Sequence, residues 1–254
     1  MSDNKSYQTA PEWIKFMMNM MGENANGFTL VTMAMSQNRM DVLDLLVAMG
    51  GGFDVNGKQA NGETWMHTAA TVGSVEAMEW LKKHNVSVDG RMNDGQTPIF
   101  VAAGNGKTQS IICLKELGAD VNARDNSGLT PVFTAAIAGQ IEAIKCLKEL
   151  GADINTKTND DIGATPLFLA VAGGHIAVIE YLISQGADVN TKNNYDMTPI
   201  FLAAMNGNLE CTKRLKELGA KLDEKAQNGK TPLDYSIEGG FTEVADWLRA
   251  NGAR

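Results

Sequence analysis

Cysteine, histidine and surplus positive charge are all scarce in this 254-residue chain, and each scarcity closes off a class of function. The three cysteines, Cys113, Cys146 and Cys211, are odd in number and form no C-x-x-C pair, which argues against a disulfide framework and against a zinc site. Thiols without a pairing pattern fit a reducing compartment, so a cytoplasmic location is expected. Lysine and arginine number 22 against 30 acidic residues, a formal net charge of -8. That balance opposes the counterion release that drives nucleic-acid binding and the attraction to an anionic membrane. It favours a protein partner. No apolar run approaches the roughly 20 residues of a spanning helix, and Met1 to Thr9 are polar, so membrane insertion is not expected.

Catalytic chemistry is equally thin. Only His67, His84 and His175 offer acid–base groups near neutral pH, and no nucleophile or carboxylate recurs at a spacing that would serve them. Gly50-Gly51-Gly52 and Gly173-Gly174 lack the spacing of a phosphate-cradling loop. Asp160-Asp161 lacks the graded ligands of a calcium loop and suits a solvated turn. The chain therefore reads as non-enzymatic, with neither a cofactor nor a metal site. Hydrophobic residues at 44% and charged residues at 20% still leave ample material for a folded core.

Repetition is what the sequence has in plenty. Gly27, Gly62, Gly95, Gly128, Gly163 and Gly229 are each followed two positions later by threonine, and Asp196 with Thr198 completes the series. The seven threonines are spaced 35, 33, 33, 35, 33 and 33 residues apart, and a fixed period of this size marks a solenoid of stacked units. One unit shows the physics. Thr130 is placed to cap a helix through its hydroxyl, and Pro131 follows at the first helical position, where a missing N–H costs nothing. Ala135 and Ala136 allow neighbouring helices to approach, and Gly139 permits a left-handed stop. Ile144, Leu147 and Leu150 then form the apolar stripe of a second helix, with Lys145, Lys148 and Glu149 outward and Gly151 as its terminator. The following Asp, Asn and Gly residues suit a tight hairpin-like turn.

Thr97-Pro98-Ile99-Phe100, Thr165-Pro166-Leu167-Phe168 and Thr231-Pro232-Leu233, with Gly118-Ala-Asp-Val-Asn122 and Gly186-Ala-Asp-Val-Asn190, resemble ankyrin repeats. His67 falls where such repeats commonly carry histidine, whereas Thr29-Leu30 and Thr64-Trp65 depart from the Thr-Pro pattern. The resemblance implies an all-α ankyrin-repeat solenoid of seven helix-turn-helix repeats with hairpin-like turns and capping ends. Residues 1–23 form an N-terminal segment, in which Pro11–Met21 reads as a capping helix. Residues 24–254 form the repeat domain, with repeats at about 24–58, 59–91, 92–124, 125–157, 158–192, 193–225 and 226–254. Two insertions, at Gly50-Gly51-Gly52 and at Thr158-Asn159-Asp160, fall in loops, where extra length is tolerated. Asp234 and Ser236, standing where inner repeats have Phe and Ala, are expected to give the last repeat a polar outer face.

Members of this family usually bind proteins on the concave surface made by turn tips and exposed first-helix positions. Mapped onto this sequence, that surface takes in Gln96, Asn105, Leu129, Ile137, Ile162, Tyr195, Met197, Met205 and Asn206. Leu129, Ile137, Ile162, Tyr195, Met197 and Met205 form an apolar strip at positions that stacking does not bury, the pattern of a recognition patch. The expected function is a protein-interaction module, whether scaffold, adaptor, inhibitor or assembly subunit. The alternative is a non-catalytic regulatory or targeting subunit of an enzyme complex.

Overall fold

The computed structural model describes residues 27–48 and 53–254. The helix expected over Pro11–Met21 and the glycine run Gly50–Gly52 lie outside them. Among the described residues there are fourteen helices in seven consecutive pairs. They are α1 (Gly27–Ser36) with α2 (Met40–Ala48), α3 (Trp65–Val72) with α4 (Val75–Lys83), and α5 (Pro98–Gly104) with α6 (Thr108–Glu116). Next come α7 (Pro131–Ile137) with α8 (Ile141–Glu149) and α9 (Pro166–Ala172) with α10 (Ile176–Ser184). The last pairs are α11 (Pro199–Met205) with α12 (Leu209–Glu217) and α13 (Pro232–Glu238) with α14 (Thr242–Ala250). No strand forms among the described residues, where the one isolated bridge joins Lys58 to Thr64.

The chain divides into two compact units, one holding the described residues up to 102 together with 107–120, the other holding 103–106 and 121–254. In the first unit α1 packs on α3, and α2 and α6 both pack on α4. In the second, the first helices pack in chain order, α7 on α9, α9 on α11 and α11 on α13, while α8 meets α10 and α12 meets α14. Small residues make this possible: Ala135, Ala136, Ala170, Ala203 and Ala204 are fully buried. Phe133, Phe168 and Phe201 fill the second unit from the third position of successive first helices. In the second helix of a pair, Ile144 and Leu147 are fully buried while Glu149 is exposed, and Gly151 follows with a left-handed φ of 92°. Asp196 adopts φ 58° where the other units have glycine, a conformation that an L-residue other than Gly, Asn or Asp seldom takes.

Two local expectations are corrected. Thr130, at φ -112° and ψ 167°, has the cap conformation with Pro131 behind it, yet its hydroxyl accepts no hydrogen bond. The Phe133 amide is taken by the Thr130 carbonyl at 2.9 Å, and the phenyl ring offers the buried Oγ1 nothing. Thr97, Thr165 and Thr198, each followed three residues later by Phe, share a buried Oγ1 without a partner. At the far end Ser236 is fully buried, donating to the Leu233 carbonyl at 2.7 Å, and is no part of a polar outer face. Asp234 accepts from the Thr231 amide at 2.8 Å in a capping box, which holds its carboxyl below the usual range. Ile237 is what faces outward, 48% exposed, because the equivalent Ala136, Val171 and Ala204 are covered by a following pair and Ile237 is not.

Candidate interaction surface

Each turn tip is built by one acidic or amide side chain folding back on its own backbone. Asp125 Oδ1 accepts the Ser127 and Leu129 amides at 2.9 Å each. Asn193 Oδ1 accepts Tyr195 N at 2.9 Å and Met197 N at 3.0 Å. Asp160 Oδ1 receives the Thr158 hydroxyl and the amides of Ile162 (3.1 Å) and Gly163 (3.0 Å), and these bonds, the hydroxyl first, pull its pKa down. Tips are also tied to one another by main chain: Asn194 N donates to Ile162 O at 2.9 Å and Gln227 N to Tyr195 O at 3.0 Å. Glycine is favoured at position 163, where φ is 63° and the Asn194 side chain lies about 2.5 Å from where a Cβ would stand.

This scaffold fixes where the side chains go. Ile137 (48%), Ile162 (47%), Tyr195 (45%) and Met205 (38%) are all exposed large apolar residues of the second unit. Leu129 and Met197 are half-buried, so they form the shoulder of the strip and not its crest. Asn105 and Asn206 are exposed, and the Asn206 amide donates to Ala172 O at 3.4 Å. Gln96 lies in the first unit, half-buried, with its carbonyl accepting from His67 Nε2 at 3.2 Å.

Leu129 and Ile137 flank Thr130 by the same offsets as Met197 and Met205 flank Thr198 and as Lys230 and Glu238 flank Thr231. In the last pair those two positions touch, since Lys230 Nζ lies 2.7 Å from Glu238 Oε2. At the same two offsets the earlier pairs carry Leu129 with Ile137 and Met197 with Met205, apolar residues where the last pair carries an ion pair. Carboxylates of Asp160, Asp161 and Asp196 stand exposed around the strip. Sequence reasoning missed Ile237; the signal was an apolar residue kept, in the final repeat, at a position whose counterparts exist only to be covered.

Each histidine is engaged in a local contact. Thr64 N donates to His67 Nδ1 at 3.2 Å, so Nδ1 carries no proton and the Nε2–H donates to Gln96 O; burial pushes the His67 pKa down. His84 stacks on Trp80 at 3.9 Å, and His175 Nε2 bonds Ile137 O at 2.8 Å. All three cysteines are buried and in no disulfide, with Cys113 and Cys211 pushed up to about 11 by desolvation. Among the described residues no three His, Cys, Asp or Glu side chains cluster as a metal set, and no helix is long and apolar enough to cross a membrane.

A family profile of ankyrin repeats in three copies matches residues 4–92, 30–125, 86–158, 112–193 and 167–254. The chain belongs to the ankyrin-repeat family. The crystal structure of the human ASB11 ankyrin repeat domain is similar to it, with a TM-score of 0.73 and 26% identity over 88% of this chain and 98% of that one. No curated protein matches. Ankyrin repeats are in general protein–protein interaction modules on a non-catalytic scaffold, and the Thr-Pro pairs, buried alanines and ordered tips described above are that scaffold in this chain.

Proposed function

We propose that this ankyrin chain is a non-enzymatic binding module, a scaffold, adaptor, inhibitor or assembly subunit, that holds a protein partner on the strip formed by Leu129, Ile137, Ile162, Tyr195, Met197 and Met205. One observation carries the reading: four large apolar side chains of consecutive pairs are 38 to 48% exposed, Ile162 and Tyr195 on tips whose main chain is pinned by hydrogen bonds and Ile137 and Met205 at the ends of first helices. Pre-ordered apolar side chains lose little entropy when they are covered, which is what a recognition surface needs. Asn206 beside Met205, with Asn105 exposed in the same unit, supplies polar positions. The surrounding carboxylates and the net charge of -8 favour a partner segment whose apolar anchors are flanked by lysine or arginine. Three buried cysteines in no disulfide suit a cytoplasmic location.

Photo-crosslinking tests the surface directly. A benzophenone side chain at position 195 should capture a discrete partner, while the same group at Glu149, exposed on α8, should not. Equal capture from both positions would remove the strip from the account.

A further inference from the structure

In the second unit, successive loops are clasped by an asparagine side chain. Asn122 donates through Nδ2 to Gly151 O at 3.2 Å and accepts from Asp153 N at 3.0 Å. Asn190 makes the same pair of bonds to Gly219 O (3.1 Å) and Lys221 N (2.9 Å). Asn155 stands at the equivalent position between them, in the same local turn, its amide donating to Asp153 Oδ1 at 2.8 Å as Asn190 N donates to Asp188 Oδ1 at 2.9 Å. Among the described residues its side chain closes no such clasp with Gly186 O and Asp188 N, the groups it would hold, both of which belong to exposed residues. A crevice of about 320 Å³ opens at that place, lined by Asn155, Gly186 and Asp188 and floored by the buried Ile154 and Leu167. This junction follows the one connection of the unit that is two residues longer than the rest, through Thr158-Asn159-Asp160.

We propose that the open clasp is a second binding site, distinct from the strip, for the primary carboxamide of a glutamine or asparagine side chain on a partner polypeptide. The sister junctions identify the ligand. What sits between each pair of loops there is a carboxamide, giving one N–H to a glycine carbonyl and taking one N–H from the residue two positions on. A carboxylate cannot imitate it, because it has no proton for Gly186 O and would lie beside Asp188. The apolar floor of Ile154 and Leu167 suits the methylenes of a glutamine stem, and a volume of about 320 Å³ admits such a side chain with ease.

The test uses the full chain, 15N-labelled, titrated with N-acetyl-Gly-Gln-Gly-N-methylamide and with its Glu counterpart. The expected result is saturable shifts at the Gly186, Ala187 and Asp188 amides with the Gln peptide, and at least about tenfold weaker binding of the Glu peptide. Ala187→Leu, which fills the crevice, should abolish the Gln response. In the free protein the side-chain amide protons of Asn122 and Asn190 should exchange slowly and those of Asn155 fast. Slow exchange at Asn155 would mean that the clasp closes in solution, and equal or absent response to the two peptides would mean that no carboxamide site exists; either overturns the proposal. Loss of the strip's partner by Ile162→Asp, with the peptide response intact, would separate this site from the interaction surface.

Discussion

Replacing Thr130 by valine should stabilise the protein, the opposite of what the helix-capping rule anticipates. Thr130 is buried, its Oγ1 has no hydrogen-bond partner, and the N3 amide it would cap is already taken by its own carbonyl. Valine has nearly the same shape and favours the extended backbone found there. Removing an unsatisfied buried hydroxyl recovers about 1 to 3 kcal/mol of desolvation, and the new methyl adds about 0.8 kcal/mol of burial. After partial cancellation by imperfect packing, a gain of about 1 kcal/mol is expected. Thr231→Val is the control: it removes both bonds of the Thr231 hydroxyl, which accepts from Asp234 N at 3.3 Å within the capping box and donates to Asp234 Oδ2 at 2.9 Å, and should cost about 1 to 2 kcal/mol. Urea unfolding of the full chain followed by circular dichroism reads both. A loss above about 0.5 kcal/mol for Thr130→Val would show that the hydroxyl is satisfied and that the reasoning from the phenylalanine neighbour is wrong.

Leu147→Ala, at a fully buried position, should lower stability by about 2 to 5 kcal/mol in the same urea assay; a change under about 0.5 kcal/mol would displace α8 from its assigned face. Asp196→Gly should raise the midpoint by the equivalent of about 0.5 to 1 kcal/mol through relief of a left-handed backbone, and a decrease would contradict the strain. His67 has a folded pKa below its unfolded value of 6.5, so its contribution to stability is complete above pH 6.5 and is lost as pH falls below that value towards the folded pKa. The drop in urea midpoint between pH 7.5 and 5.5 should shrink in His67→Gln and persist unchanged if the ring is not the cause. Cys113 and Cys211, buried and raised to about 11, should resist iodoacetamide at pH 8 until urea unfolds the chain; rapid native labelling would disprove their burial.

The period, the Thr-Pro starts, the glycine stops and the buried alanines were legible in the sequence because each is a local backbone or packing demand that recurs in most of the repeats. Exposure at Ile137, Ile162, Tyr195 and Met205 could also be inferred, since stacking buries the same offsets in every unit. What the sequence did not disclose depends on distances between neighbours. The Thr130 hydroxyl goes unused because Phe133 replaces the histidine that serves Thr64 in the second repeat, a partnership visible only when His67 Nδ1 is seen 2.9 Å from Thr64 Oγ1. That Leu129 and Met197 sink halfway is likewise a matter of tertiary packing. Asn155 looks like Asn122 and Asn190 on paper; only the crevice beside it, where its sisters form clasps, distinguishes it.

The account rests on the separation of stacking from recognition, and one comparison tests it most directly. The triple variant Ile137→Asp, Ile162→Asp, Tyr195→Asp should keep its urea midpoint within about 1 kcal/mol of the parent while retention of the crosslinked partner falls at least about tenfold. A variant that unfolds, or one that folds normally and binds its partner in full, would contradict it.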